Sequence, residues 1–291
     1  MIFSNEISRI FGLLAGLKLP KWLQSKVNSA YVKHFDIDMS EFKDTSEYES
    51  LNALFTRALE KARALDDGFV SPCDARVFEC GKAFKADSEQ LAFSIKGYTY
   101  SINELLSGAC EKNELAKGCE YANLYLSPRD YHRYHAPCDM RVLSATYTRG
   151  ELFSVSAKCL QKVANLYTRN ERVALKCESK GILLWLVFVG AQNVGKMRFV
   201  FDERIQTNAP NAQNFTHNYE NLNFKKGEEL GNFELGSTIV IITQKGLVKF
   251  SIKADDKVKF AQKIRVTGIG MGNGLYVWAY GLCRCPHIQY V

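Results

Sequence analysis

Phe233-Glu234-Leu235-Gly236-Ser237-Thr238-Ile239-Val240-Ile241-Ile242 reads as a strand headed for the interior, entered through a glycine and two hydroxyl residues. Two readings fit that entry. Gly-Ser-Thr serves a β-bulge or a strand-entry turn well. The same order also sets a serine hydroxyl beside the carbonyl that precedes it, on a glycine whose backbone tolerates unusual conformations. That is the arrangement for an N→O acyl shift, in which a serine attacks its own peptide bond. The short stretch needs partners before the second reading can stand.

The same texture extends on both sides. From Phe69 onward, short β-branched and aromatic runs are separated by Gly, Asp, Asn and Pro: 76–79, 123–126, 141–148, 182–189, 194–201 and 248–252. Ile182 to Val189 lacks alternation, which predicts a strand covered on both faces. The Asn-rich piece 208–223 reads as an exposed loop. The expected class is α+β, with a β-rich catalytic domain of sandwich or barrel-like antiparallel sheets over 66–267 and a helical region over 1–65.

In the helical region Phe3, Ile7, Ile10, Phe11, Leu14 and Leu17 recur at three- and four-residue steps, with Arg9, Lys18, Lys21 and Lys26 nearby. The pattern predicts an amphipathic helix from Ile2 to Leu23. Such a helix either lies in a lipid headgroup layer with Trp22 as its aromatic anchor or packs on the domain core. Residues 24–65, including the patterned segment Phe55 to Leu59, are expected to continue helical until Pro72 closes the region. Residues 268–291 differ in composition and read as an appendage of unassigned role; Cys283, Cys285 and His287 lack the second half-site a zinc centre needs, so no metal is expected.

Charge and cysteine usage narrow the function classes. The excess of 38 Lys and Arg over 31 Asp and Glu is diffuse, which argues against a nucleic-acid partner and suits a surface resting on anionic lipid. Nine cysteines scattered through β-like runs fit reduced core thiols and a cytosolic compartment. No apolar run reaches the roughly 18 residues of a membrane span, and no signal-peptide pattern is present.

Two of the five histidines stand together in Ser127-Pro128-Arg129-Asp130-Tyr131-His132-Arg133-Tyr134-His135-Ala136-Pro137. By themselves they fit a metal pair, structural residues or catalytic ones. Asp74, in Val70-Ser71-Pro72-Cys73-Asp74-Ala75-Arg76, reads as a turn aspartate or a carboxylate held at the edge of a strand. Ser237, a histidine and Asp74 together supply an attacker, a general base and an orienting acid.

These segments, with Ile95-Lys96-Gly97, Leu152-Phe153-Ser154-Val155, Arg169-Asn170-Glu171-Arg172 and Val189-Gly190-Ala191, follow one another in an order that resembles the phosphatidylserine decarboxylase proenzymes over roughly residues 45–267. The resemblance implies self-cleavage between Gly236 and Ser237 into a large chain, 1–236, and a small chain, 237–291. It implies that Ser237 becomes a pyruvoyl group, the cofactor through which a Schiff base to phosphatidylserine loses CO2 and leaves phosphatidylethanolamine. By position it gives His135 and Asp74 the roles of base and orienting acid in cleavage, and His132 a role in decarboxylation. It further implies a homodimer held as a peripheral membrane protein at the cytoplasmic face. The chain runs on past the segment where the family's small chain usually stops. Two rival functions were a lipid-acting serine hydrolase built on Ser237, His135 and Asp74, and a non-enzymatic membrane-binding relative. Against the hydrolase, Gly236-Ser237-Thr238 lacks the Gly-x-Ser-x-Gly elbow.

Overall fold

The computed structural model describes residues 2–85, 91–111, 113–192, 196–234 and 237–265. Helices are α1 (Ile2–Ala15), α2 (Lys21–Phe35), α3 (Leu51–Phe55), α4 (Ile102–Leu106), α5 (Ala157–Leu160) and α6 (Leu166–Arg169). Strands are β1 (Ala75–Lys82), β2 (Phe84–Lys85), β3 (Leu91–Ile95), β4 (Tyr98–Ser101), β5 (Cys119–Leu126), β6 (Arg133–His135) and β7 (Met140–Thr148). The second half of the chain adds β8 (Arg172–Ser179), β9 (Ile182–Val189), β10 (Met197–Phe199), β11 (Phe215–Phe224), β12 (Glu229–Phe233), β13 (Ser237–Gln244) and β14 (Lys257–Val258).

An eight-stranded antiparallel sheet in the order β11-β7-β8-β9-β13-β5-β1-β14 forms the frame. One face packs beneath a three-stranded sheet, β10-β12-β6; the other packs beneath β2-β3-β4 and the short helices α4 to α6. Two covered faces explain the unbroken apolar run of β9 and the burial of β13 from Ser237 to Thr243. Along β13 the faces alternate, so Ile239 and Ile241 join the core under the β6 sheet while Val240 and Ile242 join the other.

Several expected boundaries move. The helix expected from Ile2 to Leu23 stops at Ala15, and a second begins at Lys21, because Pro20 cannot continue a helix interior. Residues 24–65 continue helical only as far as Phe35, the end of α2. Asp36 turns left-handed (φ 52°) to end α2, and only a 3-10 turn at Thr45–Glu47 and the five-residue α3 follow. The Asn-rich segment expected to be a loop contains β11, paired along β7. Its Phe215, His217 and Tyr219 point inward and its Thr216, Asn218 and Glu220 outward; a bulge between Asn218 and Leu222 resets the register. Conversely 248–252 forms no strand and makes only an isolated bridge between Phe250 and Arg265. Among the described residues no helix is long and apolar enough to cross a membrane. The seven described cysteines are free thiols; Cys283, Cys285 and the appendage lie outside the described residues.

Candidate active site

Ser237 is the first residue of the central strand and pairs in register with Leu126, the last residue of β5. Its parity with Ile239 places it on the face under the β6 sheet. The side chain is wholly buried, and its Oγ has no hydrogen-bond partner among the described residues. Leaving a buried hydroxyl unmatched costs about 1–3 kcal/mol, and among the described residues the hydroxyls of Tyr48, Tyr100, Thr238 and Thr243 share that state. Leu235 and Gly236 lie outside the described residues.

Where β5 ends, the histidine loop begins. The Asp130 carboxylate accepts from the Ser127 amide (2.6 Å) and hydroxyl (2.7 Å), which closes the loop on itself. From α3's end, the buried Arg57 donates to the carbonyls of Arg129 (2.8 Å) and Asp130 (3.1 Å), so the helical region clamps the loop. His132 Nδ1 lies 2.8 Å from the Asp130 carbonyl. A carbonyl only accepts, so the proton sits on Nδ1 and Nε2 keeps a lone pair. That Nε2 is buried and, among the described residues, unpartnered. The Phe55 ring lies 3.9 Å away, and burial, with the Arg57 charge, pushes the imidazole pKa down to about 3.

His135 follows the same logic with both nitrogens engaged. Nδ1 donates to the Gly227 carbonyl (3.0 Å) and Nε2 accepts from the Tyr131 hydroxyl (3.0 Å). Gly227 can offer that carbonyl because it adopts φ 84° in the turn before β12. Phe260 stacks on the ring at 3.7 Å, and burial lowers its pKa to about 4. Both histidines are therefore neutral at physiological pH.

Asp74 does not make the orienting bond to His135 that the sequence suggested. Its carboxylate accepts two bonds from Arg63 (2.5 and 3.0 Å) and one from the Phe260 amide (2.7 Å). Arg63 reaches equally to Glu41 with two bonds of 2.8 Å. A guanidinium forked between two carboxylates satisfies Asp74 locally, while a neutral carbonyl suffices to set the His135 tautomer. Asp74 is linked to His135 one step removed, since it accepts from the amide of Phe260, whose ring covers the imidazole.

Arg57, Arg63, Tyr131 and Phe260 carry the site's support and received no role from the sequence. Tyr131 sits inside the histidine motif, and Arg57 inside the patterned segment Phe55 to Leu59, so each had a local signal. Arg63 and Phe260 had none: Phe260 meets Asp74 across 186 residues of chain, and Arg63, 11 residues before Asp74, belongs to no motif. Beside the Ser237–Leu126 pair lies a cavity of about 190 Å3 lined by Tyr125, Leu126, Pro128, Ser154, Ala191 and Gln192 among others, and no charged side chain lines it. Among the described residues no cluster of His, Cys, Asp and Glu is placed to hold a metal.

Comparison with known proteins gives this geometry its class. The family model described as phosphatidylserine decarboxylase matches residues 51–266. A phosphatidylserine decarboxylase proenzyme of Campylobacter jejuni is 61% identical over 264 residues, covering 91% of this chain and 99% of the relative. One from Helicobacter pylori is 47% identical over 266 residues (90% and 96%), and one from Marinobacter nauticus 34% over 251 (84% and 86%). The chain belongs to the phosphatidylserine decarboxylase family.

Proposed function

We propose that the chain cuts itself between Gly236 and Ser237 and then, as a carboxy-lyase, converts phosphatidylserine to phosphatidylethanolamine and CO2. The observation that carries this reading is that two of the eight buried side-chain atoms without hydrogen-bond partners among the described residues, Ser237 Oγ and His132 Nε2, belong to the Gly-Ser and histidine motifs themselves. A folded protein rarely tolerates both a hydroxyl and an imidazole lone pair left unmatched in its interior unless chemistry uses them. The same surroundings fit a pyruvoyl group made in place from Ser237, because the pairing of β13 with β5 from Ser237 onward fixes its position.

In maturation the Ser237 hydroxyl attacks the Gly236 carbonyl carbon, its proton passes through a neutral imidazole to the departing Ser237 nitrogen, and the peptide C–N bond gives way to an ester. β-Elimination then releases the Gly236 carboxylate and leaves dehydroalanine, which water converts to the ketone with loss of ammonia. His135 is that base, locked by Gly227 and coupled to the Tyr131 hydroxyl, with Asp74 acting through Phe260. His132 serves the later reaction, its Nε2 lone pair taking up a proton from the substrate's surroundings and passing it to the carbon that has lost CO2. A second reading, in which His132 is the cleavage base, is favoured by its being the imidazole with the unengaged nitrogen. When present, the pyruvoyl group supplies a ketone that captures the substrate amine and an electron sink for the pair released with CO2. After the cut, β13 keeps its ladders to β5 and β9, and Phe260 stays on Asp74 and His135, so the large and small chains remain one body.

The N-terminus supports a membrane-surface location. Ser8 and Ala15 of α1 are buried and Phe11 packs with Ala15 and Phe55, so Phe11 is inward rather than on the lipid stripe; the side chains of Phe3 and Ile7 lie outside the description. Ile10, Leu13, Leu14, Leu17 and, on α2, Trp22 are each more than half exposed, beside Lys18 and Lys21. An exposed apolar stripe rimmed by lysines matches an anionic lipid surface such as the cytoplasmic leaflet of the cell membrane. The family resemblance implies a homodimer, which sedimentation of the mature protein tests.

The mass of the purified protein tests the central claim. Two chains are expected, with the small chain resistant to N-terminal sequencing because a ketone replaces its amine, and Ser237→Ala should remain a single chain. An intact wild-type chain would overturn the decarboxylase reading and leave a Ser237 hydrolase or a membrane binder.

A further inference from the structure

Between α1 and the segment leading to the cleavage site lies a cavity of about 570 Å3 lined by Arg9, Leu13, Leu17, Lys196, Arg198 and Glu234, among others. Three cations and one carboxylate face it. Arg198 Nε donates to Glu234 at 2.5 Å, which neutralises that carboxylate and leaves the cavity with a net positive charge. Its apolar side, Leu13 and Leu17, belongs to the exposed stripe of α1.

The wall opposite α1 is built rather than incidental. Asn208 holds a left-handed conformation (φ 53°), its amide donating 2.7 Å to the buried Glu171 carboxyl, to which the Tyr147 hydroxyl also donates. Thr207 accepts from the Met197 amide at 2.8 Å, and Arg9 Nε reaches the Asn208 side-chain oxygen at 3.4 Å. Gly231 keeps β12 hard against β10, since a Cβ there would stand 1.8 Å from the Arg198 carbonyl oxygen. Buried polar groups that fix a loop around a cationic cavity preorganise it for an anion.

Position names the anion. Glu234 precedes Ser237 by three residues, at most about 10 Å of chain. The small cavity beside the Ser237–Leu126 pair has no charged lining, so it does not stabilise a carboxylate against losing CO2. We propose that the larger cavity binds the phosphodiester of the phospholipid through Arg9, Lys196 and Arg198, with Leu13 and Leu17 beneath the first carbons of the acyl chains. This rests on the decarboxylase reading.

Monomeric dihexanoyl-phosphatidylserine, used below its micellar concentration, separates this site from general attraction to a charged membrane. For mature Arg9→Ala/Lys196→Ala the KM should rise about tenfold with kcat within about twofold, whereas Lys257→Ala on β14 should change neither. On the unsubstituted enzyme, sn-glycerol 3-phosphate should inhibit competitively, and inorganic phosphate more weakly; inhibition equal for both would assign the cavity to free phosphate and overturn the lipid assignment. Absence of competitive inhibition overturns the inference even if the double variant fails to mature, as does an unchanged KM in a variant that does. An unsubstituted enzyme that matures but never releases CO2 from the lipid would instead defeat the decarboxylase reading.

Discussion

Strand β13 and helix α1 draw on the same apolar residues and put them to opposite uses. In β13 every residue from Ser237 to Thr243 is buried, and what stands out is polar: Ser237, Thr238 and Thr243 carry hydroxyls into a dry interior. In α1 the inner side is narrow, with Ser8, Phe11 and Ala15, and what stands out is the exposed apolar stripe at Ile10, Leu13 and Leu14. In each region the residue in the wrong solvent marks the work to be done. A buried hydroxyl points to chemistry and an exposed leucine to a second apolar phase.

The sharpest way to break the reading of the buried region is to separate its two histidines. His135→Ala should accumulate uncleaved precursor, with maturation slowed by about 10² to 10⁴, the usual worth of general-base assistance. His132→Ala should mature into two chains yet turn over phosphatidylserine poorly. Asp74→Asn should slow cleavage less than His135→Ala does, because Asp74 reaches that ring only through Phe260. Electrophoresis over a maturation time course reads all three. If His132→Ala blocks cleavage and His135→Ala does not, the roles exchange and the unengaged Nε2 of His132 is the base.

How much of this was legible follows from where each signal sits in the chain. Strands β9 and β13 announce themselves because a fully covered strand needs only a continuous apolar run. β11 hides behind its asparagines: the inward Phe215, His217 and Tyr219 keep the period of two, but the outward Asn and Glu give the segment a loop's composition. The helical expectation for 24–65 fails beyond Phe35 since α3 and its neighbours are short pieces shaped by what they clamp, with Arg57 spent on the carbonyls of Arg129 and Asp130. The residues proposed for the chemistry were read from motif order. Their supports were not, since the Arg63–Asp74–Phe260 link exists only after the chain has folded back on itself.

Acid should erode the buried region in a defined window. The pKa values of His132 and His135, about 3 and 4, lie below the ordinary 6.5 because burial disfavours the imidazolium. The unfolded chain therefore binds protons that the folded chain refuses, and stability falls as pH drops from about 6.5 toward 4 while staying flat above 6.5. Buried Asp130 and Glu171, whose carboxyl pKa values are raised, push the other way, so the histidine contribution is isolated by substitution. Thermal unfolding of His132→Gln should show a shallower fall between pH 6.5 and 4.5 than the parent. A His132→Gln profile that runs parallel to the parent's over that interval would refute the assignment.

The smallest effect on the folded protein, and the cleanest probe of the exposed region, comes from changing the two sides of α1 separately. Ile10→Asp with Leu14→Asp alters side chains that are 57% and 59% exposed, so folding should hardly notice: a shift within about 0.5 kcal/mol is ordinary for such surface positions. Self-cleavage, being intramolecular, should proceed as before. Binding to anionic vesicles should fall about tenfold, because inserting a leucine-sized side chain is worth about 1.5–3 kcal/mol when complete and less when it reaches only the headgroup boundary. Phe11→Asp, three residues from Leu14 but packed with Ala15 and Phe55, should instead lower the melting temperature. Co-sedimentation and thermal unfolding measured on both variants decide the matter. Equal destabilisation by the two would mean that the stripe packs on protein after all, and unchanged vesicle binding by Ile10→Asp/Leu14→Asp would remove α1 from the membrane surface.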